Sequence, residues 1–232
     1  MAIIGVVPAR GGSKSIPKKS IAPCAGKPLL VWTAEAARAS RRLDRLLLST
    51  DDAEIASVGA AAGLEVPFLR PSALAQDDSP MIAMLAHMLD WLAQVGTTVD
   101  ALVLLQPTSP LRTAAHIDEA IDLFTSQAAD TVVSVTRVPH RFVPNSQMKL
   151  VAGCLVPLEP TGELVLDRHA KPELYARNGP AILVLSAPQI RAGALYSGRT
   201  LGYVMSERDS LDVDEADDLA LADLLLSRPA AQ

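Results

Sequence analysis

Short apolar blocks alternate with longer amphipathic stretches along this chain. Ile3-Ile4-Gly5-Val6-Val7 is a compact apolar run stopped by a proline, which predicts a buried parallel strand. Leu29 to Ala39 predicts a helix, with Pro28 placed near its first turn. Arg45 to Thr50 predicts a second strand, and Asp51-Asp52 open the next helix, where carboxylates cap free amides. The rhythm continues with a helix over Met81 to Val95, a strand over Ala101 to Leu105, a helix over Ala114 to Thr125 and a β-branched strand over Thr131 to Val135. Strand and helix in strict turn predict an α/β fold, a mainly parallel sheet with helices on both faces. From Arg137 to Arg177 the rhythm breaks, with prolines at 139, 144, 157, 160 and 172, and an extended β-rich insertion is expected. Ala181 to Ser186 resumes the sheet, and Asp214 to Ser227 closes it with an Ala/Leu-rich helix. Arg228 to Gln232 is expected to fray. The division is therefore an α/β unit of residues 1–136 and 178–232, with residues 137–177 inserted.

Composition narrows the function classes. The chain has 232 residues, 49% of them apolar, enough for a sizeable core, which excludes general disorder. With 21 basic against 26 acidic residues the formal charge is −5, and only 3% of positions are aromatic, so the footprint of a non-specific nucleic-acid binder is missing. No apolar run approaches the ~20 residues that span a bilayer. Met1 to Val7 lacks a basic leader and runs directly into Pro8-Ala9-Arg10, which argues against a secretory signal. Cys24 and Cys154 form no metal-spaced pair and read as reduced thiols, so a cytoplasmic protein is expected. His87, His116, His140 and His169 are scattered, so no zinc site is assigned. There is no GxSxG elbow and neither cysteine has a motif-supported base, so covalent catalysis is not supported.

Three segments carry chemistry. The connection after the first strand, Pro8 to Ser20, holds paired glycines, Gly11 and Gly12, and four cations, Arg10, Lys14, Lys18 and Lys19. It fits neither dinucleotide nor ATPase phosphate-loop spacing, yet so much positive charge concentrated in an acidic chain favours a polyphosphate ligand. Gln106-Pro107-Thr108-Ser109-Pro110-Leu111-Arg112 follows an apolar strand and delivers Gln, Thr, Ser and Arg to the same sheet edge, where they can bond hydroxyls and carboxylates. In Asp209 to Asp218, an extended Leu211–Asp214 would project Asp212 and Asp214 from one face. Two such carboxylates repel unless a cation lies between them, and a phosphate-bound Mg²⁺ answers that need; helix capping by Asp214 is the plainer alternative.

Taken together, these segments resemble the acylneuraminate cytidylyltransferase family, the CMP-sialic acid synthetases and their bacterial relatives. The first loop is similar to the family's ARGGSK signature followed by a lysine. Gln106 to Arg112 matches its QPTSPLR segment, and Ser210 to Asp214 resembles its SIDID segment. Ser49-Thr50-Asp51, Leu69-Arg70-Pro71 and Arg177-Asn178-Gly179 are weaker echoes in the same order.

The resemblance implies a Rossmann-like mononucleotide-binding sheet and a reaction joining CTP to a nonulosonic 2-keto sugar acid, with release of pyrophosphate. It implies phosphate contacts from Arg10 and Lys19, with Gly11, Gly12, Ser13, Lys14 and Ser20 in the same nucleotide loop and Arg70, Asp78 and Ser79 near the cytosine. It places Gln106, Thr108 and Ser109 on the sugar acid and Mg²⁺ on Asp212 and Asp214, one of which would help deprotonate the attacking hydroxyl. The insertion corresponds to a family region that makes a domain-swapped homodimer, with Lys149 and Arg168 reaching the neighbour's site.

Departures are visible too. Ser20 stands where the family often has Asn, Ala176 replaces a substrate-binding Arg, and Leu195-Tyr196 occupies the position of an aromatic pair lining the N-acyl pocket, which makes Tyr196 a substrate-binding candidate. The chemistry is thus better specified than the sugar, and legionaminic or pseudaminic types fit as well as sialic acid. A different nucleotide, a Kdo-like acid, and a non-catalytic nucleotide-sugar sensor are the competing readings; retention of Arg10, Lys19, Asp212 and Asp214 argues against the last.

Overall fold

The structure is a computed structural model and describes residues 1–158 and 172–227. Its strands are β1 (Ile3–Pro8), β2 (Pro23–Cys24), β3 (Lys27–Pro28), β4 (Arg45–Ser49), β5 (Ala101–Leu104), β6 (Thr131–Arg137), β7 (Met148–Val151), β8 (Cys154–Pro157), β9 (Tyr175–Arg177), β10 (Leu183–Ser186) and β11 (Thr200–Met205). The helices are α1 (Leu29–Arg38), α2 (Ala53–Ala61), α3 (Met81–Gln94), α4 (Ala114–Ser126), α5 (Ala187–Arg191) and α6 (Ala216–Ser227).

The main sheet runs β11-β6-β10-β5-β1-β4, with β9 pairing the far end of β6. β1 pairs in parallel with both β4 and β5, and β11 in parallel with β6, while β10 is antiparallel to β5 and β6. The sheet is buried because its alternate side chains feed two cores. Ile3, Val7, Leu48, Val103 and Val184 pack beneath α1, α2 and α4; Ile4, Val6, Leu47, Leu102 and Leu183 pack against α3 and α5.

Two features go beyond the expected pattern. The segment after the insertion does resume the sheet, but antiparallel; an apolar run buried on both faces looks the same in either direction. The edge strand β11 was not anticipated. Its residues alternate between partly buried and exposed positions, and Gly202 sits in its middle, so no continuous apolar run marks it. Elsewhere the local chemistry acts as expected: Asp52 caps α2, its carboxylate accepting from the amides of Glu54 and Ile55. Within the insertion, β7 and β8 form a separate hairpin whose eight residues are all exposed, and β9 lies back along β6. Arg168, His169 and the tail at 228–232 lie outside the described residues.

Because β1 lies between β4 and β5, the chain leaves it towards one neighbour and returns on the other. That switch opens a crevice at the carboxyl ends of β1 and β5, the position where such sheets bind ligands. The connections Pro8–Ser20 and Leu105–Arg112 both start there.

Candidate active site

The floor of the crevice is a cavity of about 200 Å³ lined by Pro8, Arg10, Arg70, Asp77, Ser79, Met84 and Gln106 among others. Arg10 reaches Asp77 at 2.7 Å, and Lys14 pairs with the same carboxylate. Asp77 was not singled out from sequence, where it reads as an ordinary acidic loop residue. Its carboxyl is held below its ordinary range, by the Lys14 hydrogen bond first and by Arg10 in support. Arg70 is nearly buried, with its guanidinium donating to the Ser49 carbonyl at 2.8 Å, and burial lowers its pKa. The Ser79 hydroxyl donates to the Ala73 carbonyl and accepts from the Gln76 amide, tying the wall together. Asp78 is exposed and lies outside the cavity lining.

Gly11 leads the loop away from this floor. Its amide donates to Asp51 at 3.0 Å, and a Cβ there would lie 2.9 Å from the Asp52 carboxylate, so a larger residue would push the loop off α2. Gly12 has open space around its Cα, and the Ser13 amide donates back to the Gly11 carbonyl. Lys18 does not face the crevice; it pairs with Glu54 and Asp52 at the start of α2. Lys19 opens a short turn with Ser20 and Ile21, and its side chain crosses to the other end of the sequence. The Lys19 ammonium donates to the carbonyls of Val213 at 2.8 Å and Asp214 at 3.1 Å, and meets the Asp214 carboxylate at 3.3 Å. The Ser15 hydroxyl also donates to the Asp214 carbonyl.

The acidic segment Leu211–Asp214 lies outside any helix or strand. Val213 points into a small core with Ile16, Cys24, Leu29 and Ala222, so Asp212 and Asp214 flank it on the side away from that core. The Val213 amide donates to the Thr108 carbonyl at 2.8 Å, which fixes the acidic segment on the QPTSPLR turn. Asp212 is largely buried, and burial raises its pKa, with Asp214 adding repulsion while the Thr108 hydroxyl and Lys19 pull the other way. Its Oδ1 is buried without a hydrogen-bond partner. The capping role considered for Asp214 belongs instead to Asp218, whose carboxylate accepts from the amides of Asp214 and Glu215. Asp214 is thereby left exposed and free to face a ligand beside Lys19.

Gln106 bridges floor and acidic segment. Its amide nitrogen donates to the Gly179 carbonyl at 3.1 Å, and Gly179 in turn lies against Asp212. Thr108 Oγ1 lies 3.4 Å from the Gln106 side-chain oxygen, whereas Ser109 is completely buried and presents no hydroxyl to the crevice. Arg112 was expected among the ligand-binding groups, and the structure corrects that. Its guanidinium is fully buried, donating to the carbonyls of Ala181 at 2.6 Å and Gln106 at 3.1 Å and to the Thr33 hydroxyl at 2.7 Å, with its pKa pulled down to about 9 by burial. It braces the turn from behind.

The remaining candidates lie apart. Lys149 is exposed on the β7–β8 hairpin. Tyr196 is half exposed, stacked under the Arg177 guanidinium at 4.9 Å, and the preceding Leu195 carbonyl is bonded to Thr131 at the start of β6. Among the described residues, no hydrogen bond or ion pair joins either residue to the Lys19–Asp214 cluster.

A divalent cation fits the acidic pair on one observation, the unpartnered buried oxygen of Asp212 beside a second carboxylate. Among the described residues no three His, Cys, Asp or Glu side chains converge on a metal-sized position. The protein would thus supply about two oxygen ligands and leave the rest to phosphate and water, the habit of Mg²⁺ in nucleotide sites.

A family model described as "Cytidylyltransferase" matches residues 4–190. A CMP-N,N'-diacetyllegionaminic acid synthase of Legionella pneumophila is 33% identical over 228 residues, covering 97% of each chain. An N-acylneuraminate cytidylyltransferase of Escherichia coli is 30% identical across 95% of this chain, which spans about half (51%) of that relative's length. Among solved structures, a CMP:2-keto-3-deoxy-manno-octonic acid synthetase complexed with CTP superposes with a TM-score of 0.72 over 98% of this chain and 99% of its own, at 15% identity. That last likeness speaks to the fold alone.

Proposed function

The chain belongs to the cytidylyltransferase family, and from that premise we propose that it joins CTP to a nonulosonic 2-keto sugar acid. The anomeric hydroxyl of the acid attacks the α-phosphorus, the bond from that phosphorus to the β-phosphate oxygen breaks, and pyrophosphate leaves as the hydroxyl proton passes to a base. The observation that carries this reading is a continuous set of contacts around one crevice. It runs from Arg10 over the cavity to Gln106, through Gly179 to Asp212, and across Asp214 to Lys19.

Such a transfer needs reactants placed and charge neutralised more than it needs a covalent intermediate. The cavity beside Arg70 and Ser79 would take the cytosine, and the cationic loop with Arg10, Lys14 and Lys19 would lie along the triphosphate. Asp77, Asp214 and two backbone carbonyls hold those cations in place until phosphate oxygens take over. Gln106 and Thr108 would orient the sugar acid. Asp212 and Asp214 would hold Mg²⁺, which when bound supplies charge neutralisation on the triphosphate as pyrophosphate departs. Asp212, whose carboxyl is raised by burial, suits the role of proton acceptor from the attacking hydroxyl.

The β7–β8 hairpin supports a homodimer. Leu150 and Leu155, cross-strand partners of each other, are 72% and 64% exposed among the described residues, and a second copy would bury them and carry Lys149 towards the neighbouring crevice. No described helix is long and apolar enough to cross a membrane. We place the reaction in the cytoplasm on the thiols of Cys24 and Cys154, which are unpaired in the described residues as a reducing compartment would keep them.

Incubation with CTP, Mg²⁺ and a panel of legionaminic, pseudaminic, sialic and Kdo-type acids, read as pyrophosphate release, tests the proposal. We expect a nine-carbon acid to be used best. Turnover confined to the eight-carbon acid would replace it with the Kdo-like reading. Tight CTP binding without any product would leave a sensor.

A further inference from the structure

Asn178 is 5% exposed, and its side-chain amide makes every hydrogen bond open to it. Oδ1 accepts from the Ser134 hydroxyl at 2.6 Å and from the Ala181 amide at 3.3 Å. Nδ2 donates to the Ser210 hydroxyl at 2.8 Å and contacts Met205 Sδ at 3.5 Å. The orientation is fixed, because the Ala181 N–H can only meet an acceptor. Ser134 Oγ meanwhile accepts from the Ile182 amide at 2.8 Å, so its proton must point at Oδ1. A polar relay thus runs from Ile182, just before β10, through Ser134 of β6 and Asn178 to Ser210.

Ser210 lies two residues before Asp212. The segment from Ser206 to Leu211 is otherwise held mainly by its own turns: Ser210 amide to Ser206 carbonyl, Leu211 amide to Arg208 carbonyl, and Ser206 hydroxyl to Asp209. Hydrogen bonds tie the chain to the scaffold on both sides of Asp212: Asn178 to Ser210 before it, and after it the Val213 amide to Thr108 together with the Lys19 and Ser15 bonds to the Val213 and Asp214 carbonyls. The next residue, Gly179, is shaped to the same carboxylate. A Cβ there would stand 3.1 Å from Asp212 Oδ2, and its carbonyl holds Gln106.

We propose that Asn178 is a positioning residue: through Ser210 it sets where the Asp212 carboxylate stands, so that one bulge between β9 and β10 places both the metal-binding acid and Gln106. This rests on Asp212 and Asp214 as metal ligands, and it adds how a segment from near the chain's end is aimed at them.

Ser210→Ala removes the acceptor at the surface end of the relay and leaves the buried Asn178 amide in place, so the fold should persist. Amide hydrogen exchange on the protein alone should quicken about five- to tenfold at Val213, with the β6 and β10 amides unchanged. Mn²⁺ binding to the CTP-loaded protein, followed by electron paramagnetic resonance, should weaken about fivefold, with the KM for the sugar acid unmoved. Ser210→Thr, which keeps the hydroxyl, should restore both. Wild-type exchange at Val213 in Ser210→Ala would overturn the proposal, and so would faster exchange with unchanged Mn²⁺ affinity, which makes the tie structural only. A wild-type protein that binds neither CTP nor Mn²⁺ would instead overturn the functional reading, and the proposal with it.

Discussion

The crevice and the β7–β8 hairpin are made of the same chain yet stand in opposite relation to it. In the crevice, Lys19 meets carbonyls and a carboxylate almost two hundred positions away, and Arg10 and Lys14 share Asp77. On the hairpin all eight strand residues are exposed, apolar ones included. A two-stranded ribbon is marginal by itself in water, and no described residue covers this one. The crevice side chains are instead tied to one another within the chain. The difference teaches that long-range polar contacts fix the crevice side chains within one chain, while the apolar surface of the hairpin finds no such partner among the described residues.

The comparison can be broken at its strongest point first. Asp212→Ala should lower kcat about 10²–10³-fold in pyrophosphate release while the circular-dichroism melting curve keeps its shape. Turnover near wild type would remove Asp212 from the crevice chemistry. On the hairpin, Leu150→Asp with Leu155→Asp should convert a dimer into a monomer in sedimentation, with activity falling about tenfold as Lys149 is withdrawn. A mass unchanged by those charges would mean that the ribbon makes no interface. Gly179→Ala should cost about tenfold in kcat, since φ is +117° there and the new methyl presses on Asp212, and a wild-type rate would show that close approach to be immaterial.

The smallest effect is one of stability and carries a definite sign. Because burial raises the Asp212 pKa, the folded protein holds that proton more tightly than the unfolded chain does. The cost of ionising it is absent below the unfolded value of 3.8 and grows as pH rises through the folded value. Asp212→Asn should therefore raise the melting temperature of the metal-free protein at pH 7, by about 2–4 °C for a gain of ~1 kcal/mol. The gain should vanish below pH 3.8, and a variant that melts lower at pH 7 would show the carboxylate to be stabilising instead.

What could be read from the sequence follows the range of the interaction. Apolar runs ending in Pro8 and Gln106 mark β1 and β5 because burial on both faces demands them, and Asp52 marks the start of α2 because a carboxylate beside free amides is local chemistry. The loop cations and the Asp212–Val213–Asp214 alternation were legible for the same reason, since charge density and period-two spacing are properties of neighbours along the chain.

Strand direction was not legible, for an apolar run such as Leu183–Ser186 has no polarity. Nor was the edge strand β11, whose residues are only half buried. Arg112 looked like a ligand and became a brace, because only packing against Ala181, Gln106 and Thr33 decides which face of the turn it takes. Asp77 as keeper of two cations, Asp218 in place of Asp214 as the helix cap, and Asn178 as the tie behind Asp212 all required the folded chain. Sequence fixes which groups exist and how their immediate neighbours pattern them. Which of those groups meet across long stretches of chain depends on how the sheet closes, and that is settled only when the two cores pack.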